Sequence, residues 1–311
     1  MILTVTPNPC VDKTIFVDHV KLGTIIRSTK ATAIAGGKGT NVSRVVKALG
    51  RPTKALQIVG GHTGAHIEEM IRVQDVVETV SVWVSAPSRE IVTVLDTSEH
   101  VQTAYMEPGP ELTEEEVANV YRVFEDALHG VSIVTFNGTV PCSSLSSLYF
   151  DLIRAASKRG IKTILDAHGP AFAEGVKAQP FMVKPNIEET EELFKERFRT
   201  DKDILNAISK YHALGTSLVV ISMGAQGAVA SFENRVLRCV PPQIREVNPV
   251  GSGDALVAGF AVGLMEEMEF EQMCRLGVGA GTANATSWDI GHCSRAEIEH
   301  YATMVEITRI R

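Results

Sequence analysis

Residues 248–254 read Asn-Pro-Val-Gly-Ser-Gly-Asp, and residues 255–264 continue as Ala-Leu-Val-Ala-Gly-Phe-Ala-Val-Gly-Leu. The second stretch predicts a buried helix rich in small residues. Gly251 and Gly253 allow the backbone N–H groups at its start to turn toward an anion. Asp254 follows directly, where a carboxylate can accept a proton from an attacking hydroxyl. Gly251, Ser252, Gly253 and Asp254 are therefore candidate catalytic residues for phosphoryl transfer, although a glycine-rich turn with Asp254 capping the helix fits the tetrapeptide equally well.

Upstream of this segment, short apolar runs alternate with helical stretches. Strands are predicted at 132–136, 162–166, 181–184 and 218–222, with helices near 144–159, 188–194 and 203–214. Such alternation predicts an α/β fold whose mostly parallel sheet is covered on both faces. Short β-rich runs at 14–20 and 29–34 come before any long helix, which indicates a separate small sheet.

Composition and charge narrow the class of protein. The chain has 311 residues, a net charge of -7 and 44% apolar residues. An acidic balance argues against nucleic acid or an anionic membrane as the main partner. The five cysteines are widely spaced without a CxxC pair, which favours reduced thiols in a cytoplasmic protein. We recognise neither a signal peptide nor an apolar run of about 18 residues, so no membrane span is expected.

Two loops near the N-terminus carry polar groups beside predicted strands. Residues 36–41 read Gly-Gly-Lys-Gly-Thr-Asn, in which glycines permit close backbone approach and Lys38 supplies a cation. This loop lacks the spacing of a Walker A motif, and a plain flexible loop ahead of a helix remains an alternative. Residues 8–12 read Asn-Pro-Cys-Val-Asp after the first strand, where ligand contact and ordinary turn chemistry are equally good interpretations.

Two later loops have the same ambiguity. Residues 184–189 read Lys-Pro-Asn-Ile-Glu-Glu, and residues 222–227 read Ser-Met-Gly-Ala-Gln-Gly. Each is a ligand-binding candidate or a plain connection. The ligand-binding interpretation of both loops is favoured because all these loops would leave the sheet at one edge. Arg89 is a candidate to bind a phosphate with two hydrogen bonds from its guanidinium group, or else an ordinary surface arginine. The histidines show no spacing typical of metal ligands.

Together and in this order, the motifs resemble the ribokinase-like sugar kinases, in particular the phosphofructokinase B branch. The resemblance covers essentially the whole chain and includes 8–12, 36–42, 88–89, 184–186, 222–227 and 251–254. It implies one domain over residues 1–311 with a three-layer α/β/α core and a small β-sheet lid. The lid would comprise about 12–34 and about 88–106. Subunits of this branch commonly pair through their lids, so a homodimer is expected.

The resemblance also implies roles for individual residues. The reaction would transfer a phosphoryl group from MgATP to a ketohexose phosphate, with Asp254 as base. Residues expected to bind the sugar phosphate are Asp12, Arg27, Gly37, Lys38, Asn41, Arg89 and Asn137. Residues expected to bind the nucleotide are Lys184, Asn186, Glu189, Ser222, Gly224, Gly227 and Asn284. Asn284 would lie near the adenine, and Glu189 would lie near the Mg²⁺ that ATP carries.

Departures from the family pattern cluster around the expected sugar phosphate. Residues 137–141 read Asn-Gly-Thr-Val-Pro where Ser-Gly-Ser-Leu-Pro is usual, and Ser88-Arg89 replaces a Thr-Arg pair. Fructose 1-phosphate is the first expectation for the substrate. Tagatose 6-phosphate and then fructose 6-phosphate are the alternatives. A kinase for nucleosides or unphosphorylated sugars and a non-catalytic sugar-phosphate sensor remain weaker alternatives, because Lys38, Arg89 and Asp254 are all present.

Overall fold

A computed structural model describes residues 1–99 and 101–310, and within these ranges the strands form a ten-stranded sheet and a four-stranded sheet. The strands are β1 (Ile2–Thr6), β2 (Cys10–Val17), β3 (Lys30–Gly36), β4 (Thr53–Gly60), β5 (Glu78–Val84), β6 (Arg89–Asp96), β7 (Val101–Met106), β8 (Ile133–Asn137), β9 (Lys162–Asp166), β10 (Met182–Val183), β11 (Leu218–Ser222), β12 (Ala228–Phe232), β13 (Arg235–Val240) and β14 (Glu306–Arg309). The helices are α1 (Lys38–Ala48), α2 (Gly61–Glu69), α3 (Glu114–Ala127), α4 (Leu148–Lys158), α5 (Gly169–Lys177), α6 (Ile187–Phe194), α7 (Asp201–Ala213), α8 (Ser252–Met265), α9 (Phe270–Ala285) and α10 (Arg295–Met304).

The larger sheet has the order β14-β13-β12-β11-β10-β9-β8-β1-β4-β5. Strands from β11 through to β5 run parallel, whereas β12, β13 and β14 pair antiparallel. The central strands β1 and β8 are buried along their whole length, as apolar runs covered by helices on both faces must be. Their carboxyl ends meet at one edge, where ligands bind in open α/β sheets.

Helices cover both faces of this sheet. Helices α3, α4, α5 and α7 contribute side chains such as Phe124, Tyr149 and Tyr211 to one apolar core. On the other face, α1, α8, α9 and α10 form a second core that contains Phe260 and Phe270. This is the three-layer α/β/α fold that the sequence predicts. Every helix of the described chain is too short or too polar to traverse a lipid bilayer.

The smaller sheet has the order β3-β2-β6-β7, in which β2 pairs parallel with β6 and antiparallel with β3. Its strands fall within or beside the segments 12–34 and 88–106. Along β7 both faces are exposed to solvent. The sheet touches the loop after α9 where the Phe16 and Trp288 rings lie 5.7 Å apart. It therefore stands over the carboxyl edge of the larger sheet.

Local structure differs from the sequence prediction in a few places. The local pattern from Asn41 to Leu49 predicts a helix, and α1 begins earlier, at Lys38, while Gly50 ends it in the left-handed region with φ 76°. The β-rich run from Val76 to Val84 predicts a strand, but β5 begins at Glu78 because Val76 has a positive φ of 52°. Strand β14 was missed, since its four mostly exposed residues carry no apolar run.

Candidate active site

A cleft of about 1730 Å³ opens at the carboxyl edge of the larger sheet. All but two of the residues expected to bind ligands line it: Asp12, Gly37, Lys38, Asn41, Arg89, Asn137, Lys184, Asn186, Glu189, Ser222, Gly224, Gly227, Gly251, Ser252, Gly253 and Asp254. They come from loops far apart in the sequence. The topology collects them because parallel strands end side by side.

The glycine turn before α8 has the geometry of an anion hole. Gly251 takes φ 83°, and a Cβ there would lie 2.4 Å from Ile290 Cγ2, so no other residue fits without a shift. Helix α8 then runs through the core, with its residues buried from Asp254 to Leu264. Ser252 N donates to Pro249 O at 3.1 Å, whereas the N–H groups of Gly253 and Asp254 have no acceptor within the helix, and both residues line the cleft. The helix thus offers fixed donors to an anion.

Asp254 lies in the first turn of α8 and is only 5% exposed. Asn41 Nδ2 donates a hydrogen bond of 2.8 Å to its Oδ2. Burial, and to a smaller extent the Asp166 carboxylate, raises the pKa of Asp254 to about 7, although Lys38, the Asn41 hydrogen bond and Lys184 oppose the rise. A carboxyl group with this pKa can accept and release a proton near neutral pH.

Two lysines share one buried carboxylate in the floor of the cleft. Lys38 Nζ and Lys184 Nζ each lie 3.2 Å from Asp166 Oδ1. Burial alone would raise the pKa of Asp166, but the two ammonium groups outweigh it and lower that pKa. Burial likewise opposes the charge on Lys38, yet Asp166, Asp254 and Glu189 raise its pKa above the ordinary value. The cluster is thus ionised and keeps one cation in excess of Asp166.

The loop before α1 brings backbone close to β1. Gly37 takes φ 127°, and a Cβ there would lie 2.6 Å from Thr6 Cγ2. At Gly39 a Cβ would lie 2.2 Å from Thr6 Oγ1. Only glycine allows this approach, and Lys38 between the two glycines lines the cleft.

At one end of the cleft, several buried polar atoms lack a partner. Arg89 donates to the Asn8 carbonyl at 3.2 Å, while its Nε has no hydrogen bond. Asn8 Oδ1 and Asn137 Oδ1 are also unpaired and buried. Burial raises the pKa of Asp12 although Arg44 and Arg89 oppose the rise. Buried polar groups normally find partners, so this set has the capacity to bind a polar ligand.

The opposite end of the cleft is built from two loops. Asn186 Oδ1 caps α6 by accepting from Glu189 N at 2.7 Å, and Glu189 Oε2 accepts from Asn186 N at 2.9 Å. Ser222 leads into a tight turn in which Gly224 and Gly227 have φ values of 57° and 83°. The reciprocal cap uses one Glu189 oxygen, and Glu189 lines the cleft.

The structure departs from the sequence prediction at two residues. Arg27 lies in the exposed loop between β2 and β3 and does not line the cleft. Asn284 is 1% exposed and lies behind the glycine turn instead of in the open cleft. Its Nδ2 donates to Val250 O and Ser252 Oγ, and its Oδ1 accepts from Gly291 N. These hydrogen bonds hold Asn284 against the glycine turn, so that it braces the anion hole.

Two residues that support the cleft were missed from the sequence. Asp166 joins the two lysines, and Arg44 donates to Asn41 Oδ1 at 2.8 Å. Asn8, in the candidate loop 8–12, lines the cleft. Asp166 had a usable signal, since it ends an apolar strand at the edge that carries the other loops. Arg44 had none, because an arginine in a helix is normally solvated.

Comparison with known proteins places the chain among kinases. It is 30% identical over 317 residues to the tagatose-6-phosphate kinase of Staphylococcus epidermidis, with both chains fully covered. It is 32% identical over 310 residues to the 1-phosphofructokinase of Bacillus subtilis, again with both fully covered. The tetrameric inhibited form of phosphofructokinase-2 from Escherichia coli superposes with a TM-score of 0.88 at 27% identity, covering 97% of this chain and 98% of that one.

The family model of the pfkB carbohydrate kinases matches residues 5–296, which include every loop that lines the cleft. Both full-length relatives are named as kinases of sugar phosphates. The glycine turn, the base-like carboxyl group and the lysine cluster agree with phosphoryl transfer to a hydroxyl. This chain belongs to the pfkB family of carbohydrate kinases and is a phosphotransferase that acts on a sugar hydroxyl.

Proposed function

We propose that this enzyme transfers the γ-phosphoryl group of ATP to a ketohexose phosphate, with fructose 1-phosphate as substrate and fructose 1,6-bisphosphate as product. The observation that carries the proposal is the placement of Asp254. It is a buried carboxyl group with a pKa raised to about 7, in the first turn of α8 and beside the free amides of the glycine turn. Base and anion hole therefore meet at one point of the cleft.

In this mechanism Asp254 takes the proton of the attacking hydroxyl. The hydrogen bond from Asn41 holds the Asp254 carboxylate in place. Backbone N–H groups of Gly253 and its neighbours stabilise the negative charge on the transferring phosphoryl group. Lys38 and Lys184, both paired with Asp166, add positive charge on the same side. Fixed donors of this kind need no reorganisation during the reaction.

The nucleotide end fits a Mg²⁺ that arrives with ATP. No three His, Cys, Asp or Glu side chains in residues 1–99 and 101–310 form a metal cage. Mg²⁺ usually binds through one or two carboxylates together with substrate phosphates, and Glu189 offers such a carboxylate in the lining of the cleft. When bound, Mg²⁺ would neutralise charge on the phosphates. Ser222, Gly224 and Gly227 would then line the nucleotide, and Asn186 would orient Glu189 through the cap of α6.

The sugar phosphate would bind at the end of the cleft that contains the unpaired buried polar atoms. Arg89 and Lys38 are cations suited to the existing phosphate, while Asp12, Asn41, Asn137 and the Gly37 backbone suit hydroxyls. A neutral sugar or nucleoside needs no such cations, which disfavours those substrates. The intact base and glycine turn likewise disfavour a non-catalytic sensor. Tagatose 6-phosphate and fructose 6-phosphate stay as alternatives, since relatives are named for both kinds of kinase.

An ATP-consumption assay across fructose 1-phosphate, tagatose 6-phosphate, fructose 6-phosphate, fructose and a nucleoside tests the proposal. We expect the highest kcat/KM with fructose 1-phosphate. Preference for another ketohexose phosphate would change the substrate but keep the reaction. Turnover of only fructose or the nucleoside, or binding without turnover, would overturn the proposal.

The pH dependence follows from Asp254. A base must be ionised, so kcat should fall about tenfold per pH unit below a pKa near 7 and level off above it. The substrate phosphate titrates near pH 6. Rates at saturating sugar phosphate and MgATP, measured from pH 5 to pH 9, therefore report the bound enzyme. An acid limb at about pH 4, the range of an unperturbed aspartate, would contradict the assignment.

Arg89→Gln should weaken binding of the sugar phosphate without affecting ATP. Loss of a charge-assisted hydrogen bond in a buried site predicts a KM for the sugar phosphate about 10–100-fold higher. Steady-state kinetics with each substrate varied in turn checks this. Arg122→Gln, which removes an exposed arginine paired with Asp126 on α3, is the matched control. An equal rise in both KM values would instead indicate general damage to the cleft.

We also propose that the smaller sheet acts as a lid and pairs two subunits. Leu22 and Ile25 in the β2–β3 loop are 90% and 91% exposed, and Tyr105 and Met106 on the edge strand β7 are also exposed. Apolar side chains of this kind mark interaction surfaces when they cluster. Analytical ultracentrifugation tests the expected homodimer against the tetramer named for the Escherichia coli relative. The five cysteines are free thiols, which supports a cytoplasmic location.

A further inference from the structure

Arg44 is a buried arginine that does not reach the cleft. It lies in α1 with only 6% of its surface exposed. Its guanidinium donates to Asn41 Oδ1 at 2.8 Å and to Ala35 O at 2.6 Å, and its Nε lies 2.8 Å from Asp75 Oδ1. The side chains of Arg44 and Asp75 are 4% and 3% exposed. A buried ion pair is seldom kept for stability alone, since apolar residues of similar volume often serve as well.

The backbone around Asp75 is unusual and tightly held. The π-helical turn Met70–Gln74 precedes it, and Val76 follows with φ 52°, a strained value for a β-branched residue. Lys47 Nζ, on the same helix as Arg44, binds Asp75 O at 2.7 Å and Val76 O at 2.9 Å. Backbone strain of this kind persists where many surrounding contacts hold the residue in its strained conformation, and it is common near functional sites. Here it aims the Asp75 carboxylate at Arg44.

The hydrogen bond from Arg44 fixes the orientation of the Asn41 side-chain amide. An amide has one accepting and one donating end. Because Arg44 occupies Asn41 Oδ1, Asn41 Nδ2 must face Asp254, where it donates at 2.8 Å. The reversed amide would set an oxygen against the Asp254 carboxylate and an NH₂ group against the guanidinium. Arg44 therefore determines which end of Asn41 the carboxylate meets.

We propose that Arg44 and Asp75 are positioning residues, which orient the Asn41 amide so that it donates a hydrogen bond to Asp254 and holds this base ionised and aligned. The inference rests on the proposed role of Asp254. The charged groups around Asp254 are Lys38, Lys184 and Asp166. His292 Nε2 lies 3.7 Å from Asp75 Oδ1, at the outer end of the network.

The test compares pH profiles of kcat for wild type, Arg44→Met and the double variant Arg44→Met/Asp75→Asn. A lost or reversed hydrogen bond to a carboxylate should move the acid limb upward by about one pH unit. The deficit in kcat should therefore be about tenfold larger at pH 6 than at pH 9. The KM for ATP should stay within about threefold of wild type, because the nucleotide loops are not involved.

Folding is controlled in two ways. The double variant removes both charges, so it stays usable if Arg44→Met fails to fold with Asp75 unpaired. Arg51→Met breaks a partly exposed ion pair with Glu266 just beyond the end of α1, and it should keep the wild-type profile. Guanidinium added to Arg44→Ala should restore part of the activity at pH 6, whereas equal concentrations of sodium chloride should not.

The outcomes separate this inference from the proposed function. An Arg44 variant that loses the same fraction of kcat at every pH, without rescue by guanidinium, would show a structural role and overturn the inference. If Asp254→Asn itself keeps wild-type turnover, the proposed function fails instead. A shifted acid limb in the Arg44 variants together with an inactive Asp254→Asn supports both.

Discussion

Asp254→Asn is expected to lower kcat by about 10²–10⁴-fold, the usual contribution of a general base. Asparagine has nearly the same shape and can still accept the hydrogen bond from Asn41, but it cannot take a proton from the sugar hydroxyl. Coupled-assay kinetics at pH 8 with saturating substrates measures the loss. The Kd for ATP, measured by calorimetry, should stay within about threefold of wild type because the charge-bearing lysines are untouched. Turnover within tenfold of wild type would contradict the assignment of Asp254 as base.

The same variant should be more heat-stable than wild type at pH 8. The folded-state pKa of Asp254 is raised from 3.8 to about 7, so its ionisation opposes folding. That cost is fully present above pH 7, shrinks as the pH falls, and vanishes below the unfolded pKa. The gain in Tm from Asp254→Asn should therefore decrease from pH 8 to pH 5. A variant that is inactive because it is misfolded would show a lower Tm instead.

Asp166→Asn is expected to damage both stability and catalysis. Without this carboxylate, Lys38 and the 4%-exposed Lys184 would lose the counter-ion that they share. Breaking a buried ion pair from one side typically costs about 3–5 kcal/mol of unfolding free energy. Misplaced lysines should also lower kcat/KM by about 10²-fold or more, since positional errors of about 1 Å have that effect. Thermal or urea unfolding at pH 7, together with kinetics, measures both.

Asp126→Asn is the matched control for Asp166→Asn. It removes the partner of Arg122 in an exposed pair on α3, which should change stability by less than about 1 kcal/mol. Because Lys184 and Lys38 lower the pKa of Asp166, its stabilising contribution is present at neutral pH and is lost in acid. The difference between wild type and Asp166→Asn should therefore narrow as the pH falls below 4. Stability equal to wild type at pH 7 would show that the cluster needs no carboxylate.

Much of this architecture could be predicted from local sequence patterns. Alternating apolar runs and helical stretches predicted the three-layer fold, since each pattern reports one element and its buried face. Glycines at 251 and 253 before an apolar helix predicted the turn that Gly251 makes with φ 83°. Polar loops after successive strands predicted a shared cleft edge, and the structure brings all but Arg27 and Asn284 of the expected residues to that cleft. Identity of the sugar phosphate was not predictable in this way and stays a proposal.

Other features depend on contacts between distant parts of the chain. Asp166 meets Lys38 across 128 positions, and Asn41 meets Asp254 across 213. Asn284 was expected near adenine, yet it braces the glycine turn because α9 packs along α8 and brings the asparagine to Ser252. The position of Asp166 at the end of a strand marks it as an edge residue, but no local pattern identifies its partner or the partners of Asn41 and Asn284.

Local sequence patterns were therefore sufficient to predict the elements, their order and the glycine turn with its neighbouring aspartate. These depend on backbone preferences and on periodic burial, which act over a few residues. The electrostatics of the site follow from the folded arrangement: Asp254 is buried with a pKa near 7, and two lysines share Asp166. A pKa depends on desolvation and on charges within a few ångströms, and those neighbours are set by how the sheet edge gathers its loops.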